Sequence, residues 1–301
     1  MRTTAFLKQA LLILVVATLS MENRSIAQSY EKLHHISGHK AEVYYSDGAE
    51  VKAKRMATQI DNVFAFYQQQ INFQPVVTIL VLSPGDWDSY TKPSIYGMPH
   101  YTNDKTLVVA SEDNPFWKSF TPPLDALPKE LAQSVSQAYS NKGGLSMEPF
   151  FDLLAIHELG HAFHVQDSLV MQRRWMGELF VNIFLHTYIA EKEPELLPAL
   201  TVFPRMVVAT TQRSKLKYTT LEELHNNYDE IAQKFPQNYG WYECRWHMAA
   251  GDIYDASKTE GFKKLWFALK KQRSVLDDKA LLTLLRQVHP GVADVPLKWD
   301  Q

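Results

Sequence analysis

The chain holds a single cysteine, Cys244, so it cannot form an intramolecular disulfide and cannot build a cysteine-based zinc cluster. Its 31 basic residues are balanced by 33 acidic ones, which gives no electrostatic case for nucleic-acid binding. No internal repeat or low-complexity tract is evident, which excludes solenoids and linker-rich architectures. Long apolar runs are also missing. The one candidate, Ala10 to Ala17, is too short for a comfortable membrane span. Arg2 and Lys8 precede it and Ser25-Ile26-Ala27 follows with small residues, the pattern of a cleavable secretory signal peptide over residues 1–27. An uncleaved anchor is the alternative reading of the same run. No cysteine stands at the cleavage position, so a lipoprotein signal is not supported. The expected location is therefore secreted or periplasmic, with no stable span after cleavage. Without disulfides the remaining chain must be held by its core, and its length and 46% hydrophobic content suffice for that.

What the chain does contain is His157-Glu158-Leu159-Gly160-His161, preceded by the apolar run Phe151 to Ile156. That flank has no helix breaker, so the pentad is expected on a helix. Residues four apart face the same way there, so His157 and His161 can bind one metal ion. Glu158 then projects beside the metal, where it can take a proton from water. The pentad alone occurs by chance in unrelated chains. The apolar setting sharpens it, because a buried helix rarely carries unpartnered polar groups. A zinc peptidase is the leading reading, against an ordinary helix with a solvated polar face.

Downstream lies Trp175-Met176-Gly177-Glu178-Leu179-Phe180-Val181-Asn182, again helical by pattern. Together the two segments resemble the gluzincin metallopeptidases, the group that includes thermolysin and the aminopeptidase N type. The resemblance implies one Zn2+ per chain, held by His157, His161 and Glu178. Trp175 and Phe180 match the context in which that group carries its glutamate. The spacing from His161 to Glu178 is a little shorter than usual. Asn182 stands one turn beyond Glu178, where thermolysin-like members place a carboxylate that orients a ligand histidine; an amide can accept the same bond more weakly. Metzincin-type peptidases would instead make Asp167 the third ligand, but they need a glycine where this chain has His164. His164 itself reads as a packing or supporting residue, and Glu191 and Glu193 as solvated. In the aminopeptidase N type a tyrosine on a later helix stabilises the oxyanion. Tyr242, followed by Glu243, resembles that site best, with Tyr239 in reserve and His225 and His247 less suited. The segment by which those enzymes grip a free amino terminus is missing, so exopeptidase action is not implied.

The expected fold is α+β: a small mixed-sheet lobe over residues 28–150, then zinc-binding helices and a mostly helical lobe over 151–301. Within the first part, strands are predicted over 41–45, 76–82 and 106–110, and helices over about 49–70, 86–90 and 129–139. The resemblance makes residues 106–110 the sheet edge that pairs with an extended peptide substrate. Further helices are expected to open at Leu221 behind a Thr220/Glu223 capping box, and over 239–255, 259–272 and 277–288. The partner implied is a peptide or protein substrate. A secreted peptide-binding protein that retains the fold without turnover is the alternative, and hydrolysis of a non-peptide substrate is a third.

Overall fold

The computed structural model describes residues 30–301 apart from 92–93, 103–104 and 142–143. The signal peptide expected over residues 1–27 lies outside the described residues. Residues 33–301 form one compact unit, so the two expected lobes share one body rather than folding as separate domains.

Its first part alternates strands with helices: β1 (His34–Ile36), β2 (Glu42–Tyr45), α1 (Glu50–Ile71), β3 (Thr78–Leu82), α2 (Pro84–Tyr90), β4 (His100–Tyr101) and β5 (Thr106–Ala110). The sheet order is β1-β2-β3-β5-β4. The β2–β3 and β3–β5 pairs are parallel, and the two outer pairs are antiparallel. Strands β3 and β5 are apolar and buried almost throughout, as central parallel strands must be. Helix α1 covers the sheet with Met56, Ile60, Val63, Phe64 and Tyr67, spaced three or four apart. It ends where Asn72 turns left-handed at φ 52° and its N–H caps the Gln68 carbonyl.

One expectation about the sheet is overturned. Residues 106–110 are not its edge: β4 pairs with β5 through His100–Val108 and Tyr101–Leu107, and β4 is the outermost strand. All five residues of β5 are buried, a pattern an open edge could not sustain. The covering strand is only two residues long and carries no run of strand-forming residues, so it left no signal. Gly97 helps to place it. At φ 98° it passes so close to Asn114 that a Cβ would lie 2.6 Å from that side chain. Its carbonyl accepts the Trp117 indole N–H at 2.6 Å.

Next come α3 (Pro115–Lys118), α4 (Lys129–Tyr139) and the hairpin β6 (Ser140–Asn141) and β7 (Gly144–Leu145). The rest is helical: α5 (Glu148–Gln166), α6 (Arg174–Lys192), α7 (Leu197–Thr210), α8 (Leu221–Lys234), α9 (Pro236–Lys270), α10 (Asp278–Val288) and α11 (Pro290–Lys298). The capping box that opens α8 is formed, with Thr220 and Glu223 bonding reciprocally. The helices expected over 239–255 and 259–272 join as α9, broken at Lys258, where φ is 52° and ψ −153°. Every residue of α6 from Trp175 to Ile189 is buried, including Glu178, Asn182, His186 and Thr187. Helix α5 crosses it at Gly160, where a Cβ would lie 3.0 Å from Val181 and 3.2 Å from Phe184. The small residue of the pentad therefore sets how closely the two helices meet. Lys52 of α1 ties down the start of α5, its ammonium 2.8 Å from Asp152 and 3.2 Å from Glu148. No helix among the described residues is long and apolar enough to cross a membrane.

Candidate metal centre

On α5 the pentad puts His157 and His161 one turn apart, their ring centroids 5.2 Å from each other. Glu178 enters from α6. Its Oε2 lies 3.4 Å from His157 Nε2 and 3.5 Å from His161 Nε2. That oxygen is buried and has no hydrogen-bond partner. A buried carboxylate oxygen without a hydrogen bond between two imidazole nitrogens is costly unless it faces a cation, either a protonated imidazole or a metal ion in the space they share. Two nitrogens and one carboxylate oxygen are a donor set suited to zinc, so the residues fit the metal the sequence implied. Polar atoms of His157, Glu158 and His161 also lie within 4.8 Å of one another.

The surroundings fix these groups. His157 Nδ1 faces Asn182 Oδ1 at 3.3 Å, and His161 Nδ1 faces His164 Nε2 at 3.0 Å. Tyr228 of α8 donates its hydroxyl to Glu178 Oε1 at 2.6 Å, and its oxygen lies 3.2 Å from the Tyr239 hydroxyl. Asn182 donates to the Glu178 carbonyl at 3.0 Å and to Glu243 Oε2 at 3.3 Å. Glu158 accepts the main-chain N–H of Tyr101 at 3.1 Å, which brings the edge strand β4 to the pentad.

Burial and charge set the protonation states. Burial lowers the basicity of His157, but contact with Glu178 and the charges of Glu158 and Glu243 outweigh it and push the imidazole up to about 9. Burial disfavours the charge on Glu178, yet the two imidazoles hold it well below the usual carboxylate range. Burial, then the neighbouring Glu178 charge, pushes Glu243 up to about 8. His164 is pushed down to about 3 by burial and by His161, so it is a neutral acceptor. Burial raises Tyr228 and Tyr239, keeping both phenols protonated.

The structure thus brings together His157, Glu158, His161, Glu178 and Asn182. It does not bring Tyr242 to them. The Tyr242 hydroxyl donates to the Thr220 carbonyl at 2.8 Å, and its ring stacks on Trp299 and Trp246. Tyr242 is a core residue, whereas Tyr239, three residues earlier on α9, brings its hydroxyl to 3.2 Å from that of Tyr228. Asp167 is also elsewhere: α5 continues through His164 without a turn, and Asp167 pairs with Lys270 at 2.7 Å. His225 accepts the Arg174 main-chain N–H, and His247 lies buried beside His157 with ring centroids 6.1 Å apart. Glu193 is engaged by Gln59 and Tyr188 rather than solvated, and Glu191 accepts from Tyr254 and Thr259. Sequence reasoning missed Tyr228 and Glu243, because nothing in a lone tyrosine or glutamate marks the face of the helix it will occupy. The 3–4 spacing of Tyr239, Glu243 and His247 on one face of α9 was the available signal. No protein-family model matches the chain, and no curated protein matches it in sequence.

Proposed function

We propose that the chain is a zinc-dependent peptidase acting outside the cytoplasm, with a gluzincin-like centre formed by His157, His161 and Glu178. The observation that carries the reading is the bare Glu178 oxygen held between two imidazole nitrogens, with Glu158 beside them. Zinc bound there supplies Lewis acidity and makes water acidic near neutral pH. Glu158 then takes the proton of the attacking water and returns it to the leaving amine. Asn182 and His164 hold the two imidazoles with Nε2 toward Glu178. Tyr228 steadies Glu178 through Oε1 and leaves Oε2 for the metal. With the Tyr228 hydroxyl committed to Glu178, we assign to the phenol of Tyr239, not to Tyr242, the donation toward negative charge that develops beside the ligands. The substrate is a peptide or protein. Strand β4, next to Glu158 and outermost in the sheet, is where an extended main chain would lie.

The zinc content of the purified protein, wild type beside Glu178→Ala, tests the centre. About one zinc per chain, lost or weakened in the variant, is expected. Wild-type protein that takes up no zinc when offered it would sink the proposal. Glu158→Gln separates the enzyme from a silent peptide-binding protein: zinc is retained, and cleavage of a peptide library falls by at least about a hundredfold.

A further inference from the structure

We infer that Glu243 is a positioning residue for His157, acting through Asn182; the inference rests on the metal-centre reading above. Asn182 is fully buried on α6, between α5 and α9. Its amide nitrogen has two acceptors, the Glu178 carbonyl and Glu243 Oε2. Those two bonds take both amide hydrogens and so fix which end of the amide faces the imidazole, although Glu243 itself has a carboxylate oxygen within 4.8 Å of a His157 nitrogen and a Glu178 oxygen. That end is Oδ1, 3.3 Å from His157 Nδ1. An oxygen there accepts only from a protonated Nδ1. The proton that a metal must displace is then the one on Nε2, which faces the space shared with Glu178 and His161. A flipped amide would present hydrogens to Nδ1 and leave the proton on Nε2, where it blocks a metal.

The chain has therefore moved a carboxylate one link outward. Where thermolysin-like enzymes place an acid directly on the histidine, it has a neutral amide, and the acid stands behind the amide on α9. An acid at 182 would set a second buried carboxyl group within hydrogen-bond distance of Glu243, an arrangement that costs stability unless the two share a proton. The relay joins three helices: His157 on α5, Asn182 on α6 and Glu243 on α9. Of the Glu243 carboxylate, Oε2 takes the amide bond and the buried Oε1 has no hydrogen-bond partner.

The test is zinc affinity, measured by competition with a chromophoric chelator, together with the melting temperature of the zinc-free protein. Glu243→Leu, which removes the acceptor behind the Asn182 amide, is expected to weaken zinc binding roughly tenfold or more. The same change should leave the zinc-free melting temperature unchanged or raised, since it removes a buried acid. Asn182→Asp alone should lower that melting temperature. The reciprocal pair Asn182→Asp with Glu243→Gln returns one carboxylate to His157 and should recover affinity to within about threefold of wild type. Glu243→Leu with wild-type affinity would overturn the relay, and so would a double variant no better than Glu243→Leu alone. Wild-type protein that binds no zinc would overturn the centre itself, an outcome distinct from a loaded centre indifferent to Glu243.

Discussion

Gly160→Ala probes how the zinc ligands depend on helix spacing. The added methyl would lie 3.0 Å from both Cβ and Cγ1 of Val181 and 3.2 Å from Phe184 Cδ1. Neither neighbour can give way. Val181 is β-branched and fully buried, and Phe184 is stacked on Tyr67 with ring centroids 3.9 Å apart. Overpacking of this kind costs about 1–3 kcal/mol. Replacing glycine within a helix returns about 1 kcal/mol. The balance is a net loss of up to about 2 kcal/mol, and the rigid neighbours on both contacts put it toward the upper end. That corresponds to a melting temperature lower by up to roughly 8 °C in a unit of this size. Because α5 carries two ligands and α6 the third, the same wedge should weaken zinc on the order of tenfold. Thermal melts and chelator competition measure the two effects. An alanine variant as stable as wild type, with unchanged zinc affinity, would show that the crossing does not govern the centre.

Further outcomes follow from the same geometry. Tyr242→Phe should cost about 1 kcal/mol through its lost bond to Thr220 and leave peptide turnover unchanged; a hundredfold fall in kcat at constant Tm would return Tyr242 to the site. Tyr228→Phe strips Glu178 Oε1 of its donor and should weaken zinc by about 1.5–3 kcal/mol, read by chelator competition; unchanged affinity would remove Tyr228 from the centre. Zinc binding at pH 7 should release about one proton, because His157 is charged in the zinc-free protein; calorimetry in buffers of different ionisation heat measures it. In that form His157 is raised from 6.5 to about 9, so its stabilising contribution is complete below pH 6.5 and is lost as pH rises through 9. Glu243 acts in the same direction between 4.5 and about 8, so a zinc-free melting temperature that stays flat from pH 6.5 to 9 would contradict both assignments. Lys258→Gly relieves a left-handed residue at the break in α9 and should stabilise by about 1 kcal/mol in urea denaturation; a loss of stability would mean the break is not strained.

Much of this was legible in residue order because local chemistry decided it. The 129–139 helix, the Thr220/Glu223 box and the break between 255 and 259 all follow from spacing, capping or a change of periodicity. His157 and His161 needed only the 3.6-residue turn to share a face, with Glu158 projecting beside them. Glu178 needed more, a resemblance in its flanking residues, since no local rule says which residue of α6 meets α5. What stayed hidden depends on contacts between distant segments. The two residues of β4 pair because β5 must be covered, not because they favour extended backbone. Tyr239 and Tyr242 sit on adjacent turns of the same aromatic helix, and only the packing of Trp299 against Tyr242 decides which of them turns to the core. Helix α11, with Pro290 at its start and Pro296 inside, offers little propensity and is held by burial of Val292, Ala293 and Val295.

The burial of α6 on every side has a kinetic meaning. A helix with no solvent face cannot fray or swing outward on its own, so the amides around Glu178 and Asn182 should exchange with deuterium only when the whole unit opens. One ligand is thereby anchored to the slowest event available to the protein, while Glu158 touches a two-residue strand at the rim of a sheet. On the proposed reading, the breathing that admits a substrate belongs to that rim, while the helix that carries Glu178 stays still.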